Sequence, residues 1–110
     1  MNFLNEAQAY EGEMRAFFED LHRHPEPSHF ENRTNQRVRE QLRAHQIDML
    51  CPKDNITIAV IRGAKPGKTV GLRFDTDALQ MQELCDVPYK SETDGLMHDP
   101  VRAGRFWHRC

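Results

Sequence analysis

Tyr10, Met14, Phe17, Phe18 and Leu21 fall at helical spacing, on one face of a 3.6-residue period, with charged residues between them. That spacing predicts an amphipathic helix over 4–21. It ends in His22-Arg23-His24-Pro25-Glu26-Pro27, where Pro25 turns His24 away from helical geometry and a second proline follows. Ser28 and Glu31 fit a capping box, so a second helix is expected from there. Phe30, Thr34, Val38 and Leu42 repeat every four positions along it, and the pattern fades near His45 and Gln46. The remaining faces are rich in arginine, asparagine, glutamine and glutamate, which leaves one narrow stripe for packing.

The pattern then changes period. After a connector over 51–54, residues 55–62 are β-branched and apolar and predict a strand. Gly63-Ala64-Lys65-Pro66-Gly67 has the chemistry of a turn, and 68–74 predicts a second strand, the two forming an antiparallel hairpin. Two helices followed by a hairpin, without repeats or low-complexity runs, suit an α/β domain whose sheet is incomplete here and is expected to continue beyond this chain.

Composition narrows the setting. The 110 residues suffice for one domain burying roughly two thirds of its unfolded surface. With 38% hydrophobic and 29% charged residues, however, the chain is polar for a domain that seals its own core. Fifteen basic and seventeen acidic side chains give a formal charge of -2. No global field therefore draws nucleic acid or an anionic membrane, and a small-molecule partner is expected. Cys51, Cys85 and Cys110 form no C-x-x-C pair, the start lacks the basic and apolar regions of a signal peptide, and no apolar run approaches membrane length. The expectation is a cytoplasmic protein with reduced thiols.

Several residues could carry chemistry. Asp75 and Asp77 fall at the end of the second predicted strand, where α/β sheets gather active-site groups, although loop aspartates also serve turn geometry. Arg73 can pair with either aspartate or bind a substrate carboxylate through its planar fork. His22 and His24 form an H-x-H pair, which would need Glu26 or His29 to complete a metal site and otherwise shapes the turn. His108 and Cys110 offer only adventitious metal binding, Phe106 and Trp107 are an aggregation risk, and Cys51 and Cys85 read as inert thiols. Gly63 and Gly67 lack the rest of a phosphate-binding loop.

Three segments in order resemble the metal-dependent amidohydrolase family of hippurate hydrolase, auxin-conjugate hydrolases and N-acetyl-diaminopimelate deacetylase. Leu21-His22-Arg23-His24-Pro25-Glu26 with Ser28, Glu31, Arg33 and Thr34 is similar to the family's LHRHPE-x-S-x-x-E-x-RT segment. Residues 66–80 resemble its PGK-x-x-x-LRADMDALP strand and loop. Glu83, then 87–91 and Gly95-Leu96-Met97-His98, resemble the approach to its GxMHACGHDGHTA metal segment.

The resemblance implies a zinc-peptidase-like catalytic domain that cleaves N-acyl amino acids into a carboxylic acid and an amino acid. Two divalent ions, zinc, manganese or nickel, would polarise the amide carbonyl and activate a bridging water, and a glutamate would take its proton. Asp75 is then expected beside the metals, orienting a ligand, and Arg73 on the substrate. From Asp99 onward the likeness ends. Pro100 stands at the family's metal-binding cysteine and Arg102 at its metal-binding histidine, and neither offers an unprotonated lone pair. The expectation is therefore a family portion over 1–98 and an unrelated tail over 99–110, left by a frame shift or truncation. The chain itself would have no metal ligands, no cofactor and no activity, and the family's dimerisation domain would be missing. The competing expectation is a small non-catalytic binding or interaction domain derived from the same family.

Overall fold

A computed structural model describes residues 2–98; the predicted tail, with Pro100, Arg102, His108 and Cys110, lies outside them. In order, the elements are α1 (Phe3–Ala9), α2 (Glu11–Arg23), α3 (Asn32–Ala44), β1 (Asp48–Lys53) and β2 (Ile56–Val60). The described residues fall into two compact units, one joining 2–25 to 78–98 and the other spanning Glu26–Asp77.

In the first unit the helix predicted over 4–21 is present in two pieces. Asn2 caps α1, its Oδ1 accepting from the N–H groups of Leu4 and Asn5 at 3.2 and 3.3 Å. At Tyr10 the backbone N–H turns to Ala7 O, 3.1 Å away, in place of the regular i−4 acceptor, and α2 begins. Because α1 buries none of its residues, no packing holds the two helices in line. Glu11 and Glu13 open α2 and His22 and Arg23 close it, each complementing the helix dipole. It stops before Pro25, as the sequence predicts. Downstream, Leu79 and Met97 form an antiparallel bridge, exchanging N–H to O bonds of 2.9 and 3.2 Å. The Glu92 N–H donates to Arg23 O at 2.9 Å, tying this segment to the end of α2.

In the second unit the predicted capping box does not form. Helix α3 begins at Asn32, and Glu26 supplies the missing acceptors: its carboxylate takes the Arg33 N–H at 3.0 Å, the Thr34 N–H, and the Thr34 hydroxyl at 2.7 Å. Between them His29 adopts a left-handed φ of 73° and Phe30 is exposed, outside the stripe assigned to it. The hairpin also differs in its strands. The partner of β2 is β1, which contains most of the expected connector, and 68–74 forms no strand among the described residues. Pro52 obscured β1 in the sequence. It sits where the register shifts between Leu50 and Lys53, a place that tolerates a missing N–H. The intervening loop is short enough to favour this local pairing.

Polar groups join helix and hairpin. Arg39 of α3 donates from Nε to Thr57 Oγ1 at 2.9 Å and from Nη2 to the carbonyls of Lys53, Ile56 and Asp54 at 2.8, 3.0 and 3.2 Å. The Thr57 hydroxyl in turn donates to Asn35 Oδ1 at 2.9 Å. Among the described residues the buried apolar side chains are Pro25, Ala78 and Met97, whereas His22, Glu31, Thr34, Asn35 and Glu83 are buried polar ones. The low apolar content read from composition thus reappears as interiors organised by hydrogen bonds.

Candidate functional site

Two constellations of chemically capable side chains emerge, one in each unit. In the second unit Arg73 and Asp75 are joined by an ion pair, Nη2 to Oδ1 at 2.9 Å. Of the partners open to Arg73 in the sequence, an aspartate is the one it meets. Its side chain is 87% exposed and that of Asp75 50%, so water screens the pair and both remain accessible. They lie outside any helix or strand, and the neighbouring Val70, Leu72 and Phe74 are exposed.

The first unit is organised around His22. The last turn of α2 carries its ring to a position of 0% exposure, where Nε2 lies 2.9 Å from Glu83 Oε1. Glu83 is itself 2% exposed, and its Oε2 accepts the Ser91 N–H at 2.6 Å. With Glu83 ionised, its carboxylate offers only lone pairs and His22 is the donor, through Nε2–H to Oε1. Aromatic rings enclose the histidine: Phe18 stacks on it at 5.7 Å, Tyr89 meets it edge-on at 5.9 Å, and the His98 ring lies 5.9 Å away and tilted. The Ser91 hydroxyl bonds to Leu96 O at 2.7 Å, so residue 91 fastens both Glu83 and the approach to Met97 and His98.

The H-x-H pair separates on this geometry. His22 meets Glu83, while His24 Nδ1 lies 3.5 Å from the exposed Glu92 carboxylate. Glu26 is engaged at the start of α3. Among the described residues no group of three His, Cys, Asp or Glu side chains could hold a metal ion. Cys51 is a free, exposed thiol. No helix among the described residues is long and apolar enough to cross a membrane.

Sequence reasoning had no role for the His22–Glu83 contact. Its partners lie 61 positions apart. Both fall within motif segments already singled out, which was the available signal, but neither periodicity nor local spacing pairs a helix end with a distant loop.

The chain has clear relatives. It is 41% identical over 81 residues to the N-acetylcysteine deacetylase of Bacillus subtilis, a match covering 72% of this chain and 21% of that protein. It is 42% identical over 80 residues to thermostable carboxypeptidase 2 of Saccharolobus solfataricus, covering 71% and 20% respectively. Among solved structures, a dinuclear metal-binding peptidase of the M20 family from Bacillus subtilis superposes with a TM-score of 0.77 at 36% identity, covering 83% of this chain and 26% of that one. No family model matches the chain. The chain thus spans about a fifth of the length of the curated relatives it matches.

Proposed function

This chain belongs to the M20 family of metal-dependent amidohydrolases and peptidases, and from that premise we propose that it is a portion of an enzyme cleaving the amide bond of N-acyl amino acids. The observation that carries the reading is the combined likeness to a dinuclear metal-binding peptidase in structure and to an N-acetylcysteine deacetylase in sequence. A deacetylase of that substrate and a carboxypeptidase share one chemical demand: the scissile amide nitrogen sits on a carbon bearing a free carboxylate. Arg73 suits that carboxylate, since its exposed guanidinium can offer a planar, charge-assisted pair of N–H groups. Asp75, held by Arg73 and half exposed, is the fixed negative charge we assign to orienting a metal ligand.

The described residues do not fit the metal centre by themselves, since no three candidate ligands converge. Pro100 and Arg102 also replace the ligand-bearing positions of the family motif. No step of hydrolysis is therefore assigned through a metal on this chain, and we propose that these 110 residues alone do not turn over substrate.

The test is transplantation. Residues 15–98 of this chain replace the matching stretch of the Bacillus subtilis deacetylase, which supplies its own sequence beyond that stretch, and amino-acid release from N-acetylcysteine and hippurate is followed. Turnover by the hybrid, with none from the 110-residue chain, supports the reading. A folded hybrid without turnover on either substrate refutes it.

A further inference from the structure

We propose that His22 and Glu83 are positioning residues: their buried pair fixes the path of residues 83–98 against α2 and delivers His98 in one orientation. The inference rests on the hydrolase reading for its purpose, because His98 stands where the motif enters the metal segment. Its geometry is independent of that reading.

The pair is a strut with both ends anchored. One end is the last turn of α2, where His22 is covered by Phe18 from its own helix, one turn back. The other is Glu83, whose two carboxylate oxygens serve different partners, Oε1 meeting the His22 ring and Oε2 the Ser91 N–H. Ser91 continues the connection through its hydroxyl to Leu96 O. Leu96 is followed by Met97, which is buried and bridged to Leu79. The connection from α2 to residue 97 therefore runs through bonded groups, and Tyr89 and His98 close around the histidine that starts it. Few apolar side chains are buried in this unit, so the carboxylate performs the ordering that hydrophobic packing usually supplies. A buried carboxylate is costly unless each oxygen is satisfied, which makes the arrangement close to all-or-none.

Two substitutions separate positioning from simple space filling. His22→Leu keeps apolar volume and removes the donor. His22→Gln keeps a side-chain N–H at about the reach of Nε2, and both variants remove the ring and its effect on neighbouring resonances. In the full 110-residue chain, amide hydrogen exchange is read at Leu79, Ser91 and Met97, with Leu50 and Ile58 of the hairpin as internal reference, together with the ring resonances of His98.

The expected result is that His22→Leu accelerates exchange at Leu79, Ser91 and Met97 about tenfold or more, while the hairpin amides hold their rates. It should also disperse or average the His98 signals, and His22→Gln should restore both readouts most of the way to wild type. Equal behaviour of the two variants, unchanged exchange in His22→Leu, or equal loss of protection throughout the chain would each overturn the proposal. None of these readouts uses turnover, so a hybrid enzyme that fails to hydrolyse substrate would count against the function and leave the strut standing.

Discussion

His22 Nε2 and Glu83 Oε1 are 2.9 Å apart and both side chains are removed from water. Removing Glu83 strands both the His22 ring nitrogen and the Ser91 N–H. Glu83→Ala should therefore destabilise the first unit by roughly 2–3 kcal/mol. Urea unfolding followed at residues 79–97 measures this, and a change below about 0.5 kcal/mol, the level of ordinary surface substitutions, would contradict it.

A second prediction separates the capping that occurs from the capping that was expected. Glu26→Ala should cost about 1–2 kcal/mol of helix α3 stability, since it removes the acceptor for Arg33 and Thr34. Ser28→Ala should cost less than about 0.5 kcal/mol, as Ser28 lies ahead of the helix start and α3 has no serine cap. Helical circular dichroism during thermal unfolding of the two variants checks the contrast.

The third prediction concerns Arg39, whose fork collects carbonyls of the β1–β2 turn. Arg39→Lys keeps the charge and loses the fork. It should destabilise the hairpin by about 1–2 kcal/mol, seen as faster amide exchange at the facing residues Leu50 and Ile58 with α2 unaffected.

The fourth prediction sets stability against activity at the exposed ion pair. Asp75→Asn should change folding stability by less than about 0.5 kcal/mol. In the hybrid enzyme it should nevertheless lower kcat by about 10- to 100-fold. Arg73→Gln should raise KM about tenfold for a free-carboxylate substrate and leave the carboxamide analogue nearly unaffected. Steady-state kinetics on the paired substrates distinguishes these effects from a general loss of fold.

What could be read from sequence followed the range of the interaction. Periodicity located the helices and β2, because an amphipathic stripe or an alternating run is written locally. The break at Tyr10 was hidden, since nothing in the pattern says that α1 buries no residue. The strand β1 was missed because Pro52 looks like punctuation until its bulge is seen. Residues 68–74 carry a strand's alternation, but alternation cannot name a partner. The ion pair of Arg73 with Asp75 was legible from their proximity in the chain. The link from His22 to Glu83 depends on a fold that closes 61 residues of separation, and no short-range rule contains it.

The central proposal is that this stretch is a portion of an amide-bond hydrolase. Its most direct test is amino-acid release by the hybrid in which residues 15–98 of this chain replace the matching stretch of the deacetylase. The account predicts hydrolysis of N-acetylcysteine that a chelator abolishes and added divalent metal restores. A folded hybrid that binds metal yet releases no amino acid would contradict it.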